Sequence, residues 1–182
     1  MGFRAEAAPL FAELSAYWRA RGNPTEALKH ARGAQSVCGE VPILIWEESE
    51  ALRELDRTMD RVLRLNRLAA LQPNDPVVLV ELGLALMCTS SAPQALKPLR
   101  AALTMGHSDD EVSLSLANLE LHCGNSDEAE SLLRIILAKD PTHLGALGQL
   151  CVLLRRQCRW GEASPIEQRI IHGVRGGKFH GA

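Results

Sequence analysis

Six histidines (His30, His107, His122, His143, His172 and His180) and five cysteines (Cys38, Cys88, Cys123, Cys151 and Cys158) are the residues of this chain that could hold a metal or act as nucleophiles. A helical zinc pair needs two histidines four residues apart on one face, and no two histidines here have that spacing. His122 and Cys123 are the most metal-like neighbours, but adjacent residues on a helix point in different directions. They read as a helix end with a buried thiol, and no metal is expected. The cysteines are odd in number, widely spaced and free of any CxxC pair. Neither a disulfide framework nor a zinc knuckle is expected, and the reading is a reducing, cytoplasmic compartment.

Other reactive types are equally unsupported by their surroundings. Ser113 and Ser115 stand on a predicted helix with no histidine near enough in sequence to activate them. Asp109, Asp110 and Glu111 fall at a predicted helix start, where carboxylates favour the positive end of the helix dipole. Gly176-Gly177-Lys178 matches the end of a phosphate loop without the strand or the spaced first glycine that such a loop requires. Arg57, Arg61, Arg64 and Arg67 recur at steps of four, three and three, one basic stripe that reads as a solvated helix face rather than a seat for an acidic partner or a phosphate backbone. The expectation is no enzyme and no cofactor. A net charge of -2 and a pI near 6.3 leave no electrostatic footprint for nucleic acid or an anionic membrane. No run approaches the ~18 apolar residues of a membrane span, and the first residues lack the apolar core of a secretory signal.

The elements behind these residues are helices. Apolar residues make up 46% of the chain but aromatics only 4%, so Leu and Ala must build the core, as in helix packing. The stretch GNSDEAESLLRIILAKDP, 124–141, shows one such helix: Gly124 and Asn125 break the chain, Ser126 can accept the first free N–H groups, and Asp140-Pro141 ends the run. Its Ala129 belongs to a beat of 34 residues. Ala27, Ala95, Ala129 and Ala163 fall on that beat, with Arg61 at the remaining place. Leu14, Leu82, Leu116 and Leu150 keep a second column, with Glu48 between them. Gly22 and Gly124 fall at the turn, and Pro73 and Pro141 fall at the end of each second helix.

A period of 34 with small residues at these places resembles the tetratricopeptide repeat (TPR) across nearly the whole chain. The resemblance implies an all-α, right-handed α-solenoid of about five helix-turn-helix units at 8–41, 42–75, 76–109, 110–143 and 144–177, with a lead-in at 1–7 and a flexible tail at 178–182. Each repeated Ala lets two helices cross closely, and stacking of neighbouring units completes the core. Leu86, Leu99, Leu133 and Leu154 stand where the family often has bulky aromatics. With Arg61 and Glu48 in core columns, the 42–75 pair is expected to be shifted by a residue or loosely packed.

The family's first helices line a concave surface that receives partners, which implies a protein-interaction scaffold holding a polypeptide segment. The second, fifth, ninth and twelfth places of each unit face that surface. They supply Ile43, Trp46, Glu50 and Arg53, then Val77, Val80, Leu84 and Met87, then Glu111, Leu114, Asn118 and Leu121, and finally Gly145, Gly148, Val152 and Arg155. The groove is expected to be largely apolar with charged ends, anchored at Trp46 and notched at Gly145 and Gly148. Asn118 alone matches the carboxylate-gripping residues of the co-chaperone subclass, too few to hold a chaperone tail. Ile166, Ile170 and Ile171 leave the last helix apolar, an end to be covered by a second copy (a homodimer), a partner or a further C-terminal domain. The stretch LLRRQCRW, 153–160, also resembles the junction of repeats with the catalytic region in bacterial O-GlcNAc-transferase-like proteins. It implies an alternative role as the substrate-presenting arm of a larger glycosyltransferase; a secretion or assembly chaperone is the other.

Overall fold

The computed structural model describes residues 6–107 and 109–175. Gly176-Gly177-Lys178, His180, the tail at 178–182 and most of the lead-in lie outside the described residues. The described residues form ten α-helices and one 3-10 turn, with no strand. They group into two compact units that divide between Met105 and Gly106.

In the first unit, α1 (Ala8–Ala20) pairs with α2 (Pro24–Cys38), and α3 (Pro42–Glu54) pairs with α4 (Thr58–Leu71). The third pair is α5 (Pro76–Met87) with a 3-10 turn at Ala92–Ala95 leading into α6 (Leu96–Thr104). In the second unit, α7 (Asp110–His122) pairs with α8 (Ser126–Lys139), and α9 (Leu144–Arg156) pairs with α10 (Trp160–Arg175). Proline opens α2, α3 and α5, where its missing N–H has no helical partner to lose. Asp75 caps α5 by accepting the Val77 N–H at 2.9 Å, and Asp109 caps α7 by accepting the Glu111 N–H at 2.9 Å. Asn125, not Ser126, holds the cap position of α8, and its side-chain amide donates instead to the buried Glu120 at 2.7 Å.

The columns read from the sequence are core. Ala27, Ala95, Ala129 and Ala163 are buried in their pairs, as are Leu82, Leu116 and Leu150. Leu86, Leu99, Leu133 and Leu154 fill the neighbouring space. A further small-residue column, Ser15, Ser49, Gly83, Ala117 and Cys151, escaped the sequence reading because four different residue types occupy its five places. It lies opposite the alanines: the Ser15 hydroxyl donates to the Ala27 carbonyl at 3.1 Å, and the Cys151 thiol faces the Ala163 carbonyl at 4.0 Å.

The α3–α4 pair is neither shifted nor loose, contrary to expectation. Glu48 is 1% exposed in the leucine column, where Arg32 Nε donates to it at 2.7 Å and Gln35 Nε2 at 2.9 Å, with Arg64 Nε at 3.6 Å. Arg61 is buried in the alanine column and donates to Glu81. The stripe of arginines is thus consumed inside the unit: Arg57 binds Asp60, Arg67 binds Glu40, and Arg61 and Arg64 bind buried carboxylates. Charge pairing supplies here what apolar packing supplies in the other columns.

The turns between paired helices place one residue in the left-handed region: Gly22 (φ 72°), Asp56 (φ 55°), Gly124 (φ 85°) and Cys158 (φ 59°). A side chain there crowds the following carbonyl. Cys158→Gly is therefore expected to stabilise the second unit by about 1 kcal/mol after the extra chain entropy of glycine is subtracted. A urea unfolding midpoint that falls, with unchanged slope, would contradict this.

Candidate functional site

The first helices carry the residues expected to meet a partner, and their surroundings differ between the two units. In the first unit, Val41, Pro42, Ile43 and Trp46 at the start of α3 face Gln72, Asp75, Val77 and Val78 at the start of α5 across a recess of about 550 Å³. Ile43 is 42% exposed and Val77 47%, while Trp46 is half-buried in the wall. Successive pairs place a large apolar side chain at the same helical position, so two adjacent helices present one wet apolar surface. Leu84 and Met87 are half-buried further along α5.

Val80 is a correction: it is 6% exposed and belongs to the core. Glu50 is another, because burial withdraws it from the surface. Glu47, Glu50 and Glu54 step along one face of α3 and meet Arg19 from α1 at 3.1, 3.8 and 3.3 Å. Arg53 pairs with Glu50 at 2.5 Å and reaches Glu81 at 3.9 Å, and Arg61 approaches Glu50 at 3.8 Å. Glu50 Oε1 and Arg61 Nε are buried without hydrogen-bond partners, so this ion pair is close but poorly aligned. Burial pushes the Glu50 carboxyl above its ordinary value, Arg53 pulls it back, and the Glu81 charge pushes it up again. Sequence reasoning missed this network, although the Glu47, Glu50, Glu54 spacing was a visible signal. What stayed hidden was that the opposing arginines come from α1 and α4.

In the second unit, Glu111, Val152 and Arg155 are exposed, and Leu114, Asn118 and Leu121 are half-buried. The notch expected at Gly145 is filled: a Cβ there would stand 2.9 Å from the Leu114 side chain. Gly148 has no neighbour within 4 Å of that position and stays open. Arg155 lies over the Trp160 ring at 5.6 Å and pairs with Glu167 at 3.3 Å. Arg159 donates to Glu130 at 2.7 Å and to Glu162 at 2.8 Å, and its hydrogen bonds hold the Glu130 carboxyl below its ordinary value. Each polar group of the 153–160 stretch named here thus has a local structural use.

The last helix divides its isoleucines. Ile166 and Ile170 pack against the core of the second unit, and Ile171 and Val174 stand exposed. The expectation of three open isoleucines fails for two, because α10 turns that face back onto α9. His122 and Cys123 do form a helix end, but the Cys123 thiol is exposed, not buried, as the chain leaves the last turn there. His143 spends its Nδ1 accepting the Ala146 N–H at 3.1 Å, which caps α9. Among the described residues, no three His, Cys, Asp or Glu side chains gather as a metal centre would require. Among them, too, no helix is long and apolar enough to cross a membrane.

No family model matches this sequence, and no curated protein does. Solved structures match it closely in shape. A MamA crystal structure superposes with a TM-score of 0.84 at 14% identity, over 100% of this chain and 98% of that one. MamA from residue 41 to its end, from Desulfovibrio magneticus RS-1, gives 0.80 at 18% identity over 93% of this chain and 96% of that one. YrrB, a TPR protein with an unusual peptide-binding site, gives 0.81 at 15% identity over 89% and 84%. At these identities the likeness establishes the fold. It is the tetratricopeptide-repeat fold, of the all-α solenoid class.

Proposed function

We propose that this chain is a protein-interaction scaffold that binds a polypeptide segment against its first helices and catalyses no reaction by itself. The observation that carries the reading is the recess formed by Ile43, Trp46 and Val77. Two exposed aliphatic side chains and an aromatic wall, held on helices whose own cores are complete, are an anchor site for an apolar residue of a partner. YrrB, a protein of the same fold, has a peptide-binding site, which supports this reading. In the second unit, taken by itself, Leu114, Asn118, Leu121, Val152 and Arg155 are the first-helix residues proposed to meet a partner. Arg53 and Glu111 supply exposed charge. Glu50 acts from beneath by holding Arg53.

The test uses peptides selected from a random displayed library against the full chain. Ile43→Glu with Val77→Glu is expected to weaken the selected peptides by at least about tenfold, because an apolar anchor would meet two carboxylates. Far-UV circular dichroism should stay unchanged, since both side chains are exposed. Undiminished binding by this variant removes the recess as the site. Val80→Glu is not a suitable probe, because it would bury a charge in the core.

A further inference from the structure

The first and last helices leave complementary gaps in the repeat. Leu10 and Tyr17 on α1 are 67% and 47% exposed. Later residues of their columns are buried: Leu44, Val78 and Ala146 in the first, Ala51, Ala85 and Leu153 in the second. Those six stand on α3, α5 and α9, each of which packs on the second helix of the pair before it in its own unit. No such helix packs on α1 among the described residues, so an apolar face built like the others stays wet.

The last helix shows the converse. Ile170 is half-buried, whereas Ala34, Leu68 and Ile136 of its column are buried on α2, α4 and α8, each of which carries a following pair within its unit. Ile171 is exposed, whereas Gln35, Ala69 and Leu137 of its column are half-buried. Charge repeats the pattern. In the first unit, ion pairs link consecutive first helices: Arg19 meets Glu47 at 3.1 Å, and Arg53 reaches Glu81 at 3.9 Å. The arginine column holds Arg at 19, 53 and 155, with Met87 and Leu121 between, and the acidic column holds Glu only at 13, 47 and 81. Glu13 is thus left with no arginine a step before it, and Arg155 with no glutamate a step after it. Glu13 is exposed and pairs with no cation among the described residues.

We propose that this chain associates with itself head to tail: α1 of one copy docks on α9 and α10 of another, as α3 docks on α1 and α2. Shifting the α2–α3 junction by whole repeats gives the register. There Gln35 donates to the Leu44 carbonyl at 3.4 Å and to Glu48 at 2.9 Å. The corresponding residues are Ile171 of one copy with Leu10 and Leu14 of the next, an apolar contact in place of a polar one. Arg19 and Glu47 correspond to Arg155 of one copy and Glu13 of the next, so the ion pair recurs. Glu167 stands in the column of Leu65 and Leu133 and is the charged residue of that face, but Arg155 already holds it at 3.3 Å. Each contact uses a different end of the two copies, so it is heterologous and closes into a ring or extends as a chain. It is independent of the recess at Ile43 and Val77.

Light scattering by the full chain over a range of concentrations is the test. At about 100 μM, where a contact with a micromolar Kd is filled, the mean mass is expected to exceed that of a monomer. Leu10→Glu and Ile171→Glu, both exposed changes, should each give a monomer with unchanged far-UV circular dichroism. An equimolar mixture of the two should form a one-to-one dimer, because one variant keeps its α10 face and the other its α1 face. Glu13→Arg should weaken association about tenfold, and adding Arg155→Glu to the same chain should recover part of the loss. A monomeric chain at this concentration overturns the proposal, and so does a mixture of the two variants that stays monomeric. Association lost with Leu10→Glu but kept by Ile171→Glu would mean that two α1 faces meet each other, and the reverse that two α10 faces do; either outcome overturns it. Ile43→Glu with Val77→Glu should leave the mass unchanged. If that variant disperses the assembly, the recess is what grips the second copy, and the proposal is overturned.

Discussion

Arg61→Ala is expected to lower the stability of the first unit by about 3–5 kcal/mol, although alanine stands at the other four places of that column. Arg61 is buried, and it lies against two carboxylates, Glu81 and the buried Glu50. Its removal leaves Glu50 with Arg53 and Arg19, one of them half in solvent and the other 3.8 Å away. A buried carboxylate short of counter-charge costs far more than the alanine gains in helix propensity, which is under about 1 kcal/mol. Two controls identify the cause. Adding Glu50→Gln to the variant should recover a large part of the loss, because the stranded charge is gone. Acidification should also shrink the deficit. A carboxyl raised in the folded state carries its cost above its folded pKa and sheds it as pH falls to the unfolded value, about 4.3. Chemical denaturation between pH 7 and pH 4 measures both effects. A deficit under about 1 kcal/mol, or one that grows in acid, would show that Arg61 is held by packing of its stem rather than by charge.

The helices were legible because their signals are local. Prolines at helix starts, glycines at turns and the beat of 34 residues each depend on a few neighbours in sequence. The columns of Ala and Leu followed from the same beat. What failed was any judgement that required knowing a partner across two or more helices. Arg61 and Glu48 looked like defects, because the sequence shows each against its own column and hides the carboxylate and guanidinium groups that α5 and α2 bring to them. Gly145 looked like a notch because its filler, Leu114, comes from another pair. Val80 and Glu50 were placed on the surface by a fixed rule of helical position, yet a helix with neighbours on both sides buries a wider arc than that rule allows. Ile43 and Val77 do stand exposed, since they sit at helix starts where the buried arc is narrow.

Gly83→Ala is the second large effect, and here two rules of thumb conflict. In an isolated helix the change would stabilise by about 1 kcal/mol, since glycine is a poor helix former. In α5 a Cβ at this position would stand 2.4 Å from Leu99 Cγ and 2.5 Å from its Cδ2. Leu99 is fully buried, so its side chain has no room to turn away, and the branch point itself is in the way. Either α5 and α6 separate or Leu99 leaves its rotamer, and the expected net loss is about 1–3 kcal/mol. The pairs with Ser15, Ser49, Ala117 and Cys151 in this column accept a Cβ. In the third pair the opposing leucine uses the space that glycine leaves. A double-mutant cycle with Leu99→Ala decides the matter. Leu99→Ala alone should cost about 2–5 kcal/mol, and the two changes together should cost less than their sum, because the added methyl enters the cavity the leucine vacates. Strict additivity would mean that the overlap is relieved by a backbone shift elsewhere. A stabilised Gly83→Ala would mean that the close approach of α5 and α6 is not what requires glycine.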